Sequence, residues 1–166
     1  MQLIDLIYLI VYSVMIYCSV LWFTVFFKNR KRMLYNPKPK KFPSITFLIP
    51  AHNEEKNIGK CLQAILNLDY PKNKLKIIVI DDGSTDSTAR IVKKFKEVKL
   101  IRQKKSGKAA ALNNGLKHVK TELVASMDAD SFPDRDFLLK MVGYMERKNV
   151  AAVTPAIKVF ETKTLM

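Results

Sequence analysis

From Leu6 to Phe27 the chain carries no charged residue, and Leu, Ile, Val, Phe and Tyr dominate the run. That is long enough to cross a bilayer as a helix. Tyr8 and Trp22 suit its interfacial ends, while Tyr12 and Tyr17 lie deeper. A cleaved signal peptide fits poorly: Asp5 stands where a positive n-region belongs, the apolar stretch is too long, and no small-x-small cleavage site follows. Lys28, Arg30, Lys31 and Arg32 come next, a flank that stays on the cytoplasmic side. The pattern therefore predicts a single-pass membrane anchor over residues 1–27, with the N-terminus outside and the following domain cytoplasmic. The basic cluster also suits contact with anionic lipid head groups.

Residues 28–43 are rich in Lys and Pro, ending in Tyr35-Asn36-Pro37-Lys38-Pro39-Lys40-Lys41-Phe42-Pro43. Such a stretch cannot continue a helix and predicts a stiff linker. From Ser44 the period changes. Ile45 to Ile49 is a short apolar strand closed by Pro50, and Ile58, Leu62, Ile65 and Leu66 recur at helical spacing up to Tyr70-Pro71. Lys76 to Ile80 is a near-continuous apolar strand of the kind found inside parallel sheets. Asp81-Asp82-Gly83-Ser84 is a turn. Ser84, Thr85 and Asp86 are positioned to cap a helix with Ala89, Val92 and Phe95 inward. Val98 to Ile101 is a third strand, and Ala109, Leu112, Leu116 and Val119 mark a third helix. Leu123 to Met127 is a fourth, buried strand. Pro133 and Asp134 open a helix with Phe137, Leu138, Met141, Val142 and Met145 on one side, and Ala151 to Thr154 begins a fifth strand. This alternation predicts an α/β fold with a mostly parallel sheet and helices on both faces, preceded by one transmembrane helix.

The formal charge is +14. Basic residues beside the span already have a topological role, and Lys93, Lys94, Lys96 and Lys99 fall on solvated faces and strand starts. No aromatic–basic platform accompanies them, so nucleic acid is not an expected partner. Cys18 and Cys61 have no partner at disulfide or metal spacing. With His52 and His118 the only histidines, a zinc site built from His and Cys is not expected.

Ligands of open α/β sheets bind beyond the carboxyl ends of the strands. Polar residues gather at those ends: His52, Asn53, Glu54 and Glu55 after the first strand, Asp81 and Asp82 with Gly83 and Ser84 after the second, Asp128 and Asp130 after the fourth. Acids brought to one rim repel unless a cation or hydrogen-bond donors compensate. Asp128 and Asp130, at i and i+2 on an extended segment, face the same side. A hard divalent cation holding a diphosphate is the matching partner. The competing reading is a set of capping turns, with Asn53 or Glu54 before one helix and Ser84 or Thr85 before the next. Neither G-x-G-x-x-G nor G-x-x-x-x-G-K-S/T is present, so a backbone cradle for phosphates is not expected. Lys108, at a helix N-terminus after Gly107, opposes the macrodipole, which a nearby phosphate would explain.

Four motifs in register, Pro50-Ala51-His52-Asn53-Glu54, Val79-Ile80-Asp81-Asp82-Gly83-Ser84-Thr85-Asp86, Gly107-Lys108-Ala109-Ala110-Ala111-Leu112-Asn113 and Asp128-Ala129-Asp130, resemble family 2 glycosyltransferases of the GT-A fold. The resemblance covers about Ser44 to Val159. The anchor and the G-K-A-A-A-L-N stretch are most similar to membrane polysaccharide synthases such as cellulose, chitin and hyaluronan synthases. The resemblance implies a Rossmann-like nucleotide-binding half over residues 44–166. It implies Pro50, His52 and Glu54 at the base and ribose, Asp82 with Asp81 at the base, commonly uracil, and Lys108 beside the diphosphate. It also implies Asp128 and Asp130 at Mn²⁺ or Mg²⁺, with Asp130 the more direct ligand. The donor would be a nucleotide-diphospho-sugar and the acceptor a glycan or lipid.

One departure stands out. The general base and the Q-x-x-R-W motif of the synthases belong well beyond the D-x-D pair. Glu161 is the only acid in the tail, and nothing marks it as a base. The expectation is a donor-binding half: a truncated product, a fragment, or one piece of a split enzyme whose second polypeptide supplies the acceptor half. The alternative is a catalytically silent nucleotide-sugar-binding subunit.

Overall fold

The computed structural model describes residues 3–33 and 35–157 of the 166-residue chain. Glu161 therefore lies outside the described residues. The chain divides into two units, Met1–Asn36 and Pro37–Met166.

The first unit is one helix, α1 (Leu3–Met33), which runs on through the basic flank expected to start the linker. Residues Leu3–Lys31 are long and apolar enough to cross a membrane. Its large apolar side chains are exposed all round, from Leu3 to Phe27. Its few polar side chains turn back on the helix: Ser13, Ser19, Thr24 and Asn29 each donate to the carbonyl four residues earlier, at 2.7–2.9 Å. Polar groups satisfied by their own helix suit an apolar surrounding.

The second unit alternates strand and helix: β1 (Ile45–Ala51), α2 (Ile58–Leu66), β2 (Leu75–Asp82), α3 (Thr88–Val92), β3 (Val98–Gln103), α4 (Lys108–Leu116), β4 (Leu123–Ser126) and α5 (Phe137–Met145). A 3₁₀ turn, Lys72–Lys74, precedes β2. All pairings are parallel, in the order β3-β2-β1-β4. Because side chains alternate across a strand, Phe47, Ile49, Ile77 and Val79 face one side, packed with Ile58, Leu62 and Ile65 of α2, Val92 of α3 and Leu138 and Val142 of α5. Leu48, Ile78 and Ile80 face the other and pack on Ala111 and Leu112 of α4. The expected parallel sheet covered on both faces is what forms.

Several element boundaries differ from expectation. Asp81 and Asp82 end β2 rather than form a turn. They sit in register with Arg102 and Gln103 of β3, which supply polar partners for two acids in a strand. Pro50 lies inside β1 rather than closing it. Carbonyls of Ser44 and Leu48 accept from Leu123 and Met127, so even-numbered residues face β4. Pro50 comes next on that side and has no N–H to give, and the β1–β4 register ends at Leu48. β4 is not buried: among the described residues it pairs with β1 alone, and Val124 is 50% exposed. No strand forms over residues 151–157. The Pro/Lys stretch is partly tied down, since the N–H groups of Lys40 and Lys41 both donate to Glu146 Oε1 and Tyr70 Oη donates to Pro43 O at 2.7 Å.

The inner face of α4 is shifted too. Ala109 and Leu116 are exposed, while Ala111 and Gly115 are buried. A Cβ at Gly115 would sit 2.8 Å from Ile80 Cδ1 and 3.1 Å from Leu48 Cδ2. Gly115→Val is therefore expected to lower unfolding stability by about 1–3 kcal/mol through overpacking. Denaturant unfolding of the second unit in the detergent-solubilised chain checks this, and an unchanged midpoint would refute the close contact.

Candidate functional site

The strand order reverses between β1 and β4, and the crevice of an open sheet lies at such a switch point. A cleft of ≈ 270 Å³ opens there. Its walls are Pro50, Ala51, His52 and Glu54 from the end of β1 and the loop after it, Asp82 from the end of β2, Lys108 from the start of α4, and Asp128, Ala129 and Asp130 after β4. Pro50, His52, Glu54, Asp82, Lys108, Asp128 and Asp130, all expected at the site, thus share one cavity. Asp81 does not line it. Its carboxylate is fully buried, accepts from Arg102 Nε at 2.9 Å, and accepts the Ser84 N–H. Ala51 and Ala129 line the cleft unforeseen. Ala129, 3% exposed, is the x of D-x-D and packs into the core between two exposed acids.

Asp128 and Asp130 are both exposed, on the turn that follows β4. The Asp128 side chain is 53% exposed and forms an ion pair at 2.5 Å with Lys108 Nζ. Asp130 is exposed, and its carboxylate makes no hydrogen bond or ion pair among the described residues. Below this turn Cys61 Sγ donates to Asp128 O at 3.7 Å. Burial, with the charges of Asp130 and Glu54 adding to it, pushes the Cys61 thiol up to about 12. It remains a packing thiol, not a nucleophile.

Asp82 is 5% exposed, and its carboxylate is spent on the loop before α4. Oδ1 accepts from Gln103 Nε2 and Ser106 N, and Oδ2 from Gly107 N, each at 2.8 Å. Asn114 Nδ2 on α4 in turn donates to Gln103 Oε1 at 2.9 Å. Gly107 has φ +89 with open space around it, so backbone conformation, not crowding, demands glycine there. Asp82 thereby fixes where α4 begins and where Lys108 stands. The Asp82 carbonyl lies 2.9 Å from His52 Nδ1. A carbonyl only accepts, so Nδ1 carries the proton and neutral His52 keeps Nε2 as an acceptor.

The β1–α2 and β2–α3 loops are laced to one another rather than capping their own helices. Asn53 N donates to Ser84 Oγ, and Thr85 N to Asn53 Oδ1. Glu54 N donates to Thr88 Oγ1, and Ser87 N to Glu55 Oε2. Asp86 is the exception: besides receiving Glu55 N, it caps the start of α3 through Thr88 N at 2.9 Å.

These bonds predict an acid response. Burial opposes ionisation of Asp82 and Asp86, but their hydrogen bonds outweigh it and hold both below the ordinary carboxylate range. A group depressed in the folded state gives stability that is complete above its unfolded value, about 4, and lost as pH falls through the folded one. The thermal midpoint of the second unit is expected to be flat from pH 7 to about 5 and to fall below about 4. A midpoint unchanged at pH 3 would refute it.

Among the described residues no group of three or more His, Cys, Asp or Glu side chains could hold a metal ion. Asp128 and Asp130 still fit a divalent cation of the kind bound through one or two carboxylates, with phosphate oxygens and water completing its shell.

Residues 46–165 match the family model described as glycosyl transferase family 2. A probable glycosyltransferase of Bacillus subtilis, YdaM, is 37% identical over 137 residues, 76% of this chain and 33% of the relative. Poly-beta-1,6-N-acetyl-D-glucosamine synthase of Staphylococcus aureus is 33% identical over 152 residues, 84% of this chain and 36% of the relative. The chain thus spans about a third of the length of these curated relatives. Among solved structures, the mannosyltransferase PcManGT of Pyrobaculum calidifontis, in complex with GDP-Man and Mn²⁺, superposes with TM-score 0.66 at 31% identity, covering 77% of this chain and 41% of that one. S. aureus TarS in complex with UDP-GlcNAc gives TM-score 0.55 at 29% identity, covering 57% and 29%. These likenesses agree with the nucleotide-binding half of a GT-A fold.

Proposed function

Because the chain belongs to glycosyl transferase family 2, we propose that its cleft binds a nucleotide-diphospho-sugar with a divalent cation, as the donor side of a membrane-anchored glycosyltransferase. The observation that carries this is the meeting of His52, Asp82, Lys108, Asp128 and Asp130 in one cavity at the switch point of the sheet. Lys108 brings a cation to the diphosphate from a helix N-terminus whose free N–H groups also favour anions. Asp128 and Asp130 would hold the metal, Asp128 in place of its ion pair with Lys108 and Asp130 through a carboxylate that has no partner among the described residues. His52 and Pro50 form the wall toward the nucleoside. Bound Mn²⁺ or Mg²⁺ would supply positive charge to the departing diphosphate.

We infer a UDP-linked donor and a glycan or lipid acceptor, in keeping with the staphylococcal UDP-GlcNAc complex and with the polysaccharide made by the staphylococcal relative. α1 is read as the anchor, N-terminus outside, with the second unit on the cytoplasmic side where its basic flank stays. Transfer further needs a general base, for which the described residues offer no placed candidate.

The test is calorimetric titration of the detergent-solubilised chain with UDP and with GDP, with and without Mn²⁺. Saturable binding of UDP that needs Mn²⁺ is expected. Binding of neither nucleotide would overturn the proposal, and preference for GDP would overturn the donor assignment. Release of sugar from UDP-GlcNAc, lost in Asp130→Ala, marks an enzyme; metal-dependent binding without turnover marks the silent subunit.

A further inference from the structure

A second cavity, ≈ 330 Å³, opens on the face of the sheet that carries α4, at the amino-terminal ends of the strands and so away from the cleft. Lys76 lies near the start of β2, Lys99 near the start of β3, and His118 and Lys120 just past α4. Glu97 is the one carboxylate in the lining. None of the three lysines makes an ion pair among the described residues. Lys99 Nζ instead lies 3.1 Å from His118 Nδ1. An ammonium has only donors, so Nδ1 accepts and His118 presents an N–H at Nε2. The last carbonyls of α4 do not hold these cations either, since Gly115 O and Leu116 O receive the N–H groups of His118 and Val119.

Ammonium groups gathered around one cavity repel, and a bound anion reverses that cost. Several convergent donors suit the oxygens of a phosphate, for which lysine is a common ligand. We propose that this cavity binds a phosphate group, carried by a soluble compound or by a lipid head group, independently of the donor cleft. The lysines are exposed, so the site stays accessible and its residues can be changed without disturbing the core.

The experiment uses the full chain in phosphatidylcholine nanodiscs, with inorganic phosphate as the probe and acylation of individual lysines read by mass spectrometry. Saturable protection of Lys99 and Lys120 is expected, with apparent affinity about tenfold weaker in Lys99→Gln/Lys120→Gln when read at Lys76. Lys99→Arg/Lys120→Arg, which keeps the charge, is expected to retain parental affinity at Lys76. Lys108→Met separates this site from the cleft: protection that persists supports the proposal, and protection that disappears overturns it. In a second arm, discs containing phosphatidic acid replace the neutral ones. Protection without added phosphate identifies the head group as the source, whereas protection only on adding phosphate identifies a soluble ligand. Equal affinity in the Gln variant, or no protection in either disc, overturns the site.

Discussion

Asp130→Asn is expected to weaken Mn²⁺-dependent nucleotide binding by about 100-fold, at or beyond the upper end of what loss of a metal's supporting groups costs. Its thermal midpoint should stay close to the parent's, because an exposed side chain without partners adds little to folding. The asymmetry within the pair makes the test sharp. Asp128 is engaged by Lys108 before any ligand arrives, so its replacement would also free a cation and confuse the reading. Asp130 has no such second role. Titration of UDP in excess Mn²⁺, beside a thermal melt, checks both halves. Parental affinity in the variant would remove the carboxylate pair from the site.

Asp82→Ala is expected to act twice. Truncation leaves the N–H groups of Ser106 and Gly107 and the Gln103 amide without their acceptor. Water reaches that exposed loop, so the loss of stability should fall within about 1–3 kcal/mol. Nucleotide affinity should fall as well, with its Mn²⁺ dependence intact, because Lys108 loses its fixed starting point while Asp128 and Asp130 remain. Hydrogen exchange distinguishes this from a direct contact with the base. Faster exchange at Ser106 and Gly107 in the unliganded variant is the signature of the clamp, and unchanged exchange would show that the loop does not depend on Asp82.

The cleft was legible from sequence because one rule, that ligands sit past the carboxyl ends of parallel strands, turned separate polar clusters into one rim. What the sequence could not display was which acids were already occupied. Asp81 and Asp82 stand side by side and look equivalent, yet alternation sends them to opposite faces. One meets Arg102 and the other the loop before α4, and only the β2–β3 register reveals those partners. The same register explains how two poor strand formers end a strand that propensity alone would have stopped at Ile80. The inner face of α4 escapes the apolar pattern for a different reason. An apolar count passes over glycine, but Gly115 is the residue that lets the helix axis approach Ile80, which turns Leu116 outward. The exposed D-x-D turn likewise follows from tertiary position, since among the described residues β4 has a neighbour on one side only.

Pro50 sets a limit of another sort. Adding backbone rungs between the first and fourth strands would work like closing a zip further along their length. A ring that has no hydrogen to offer jams that zip one step past Leu48. The point where the two strands part beside the cleft is in this sense written into the covalent structure of a single residue, before any side chain has been placed around it.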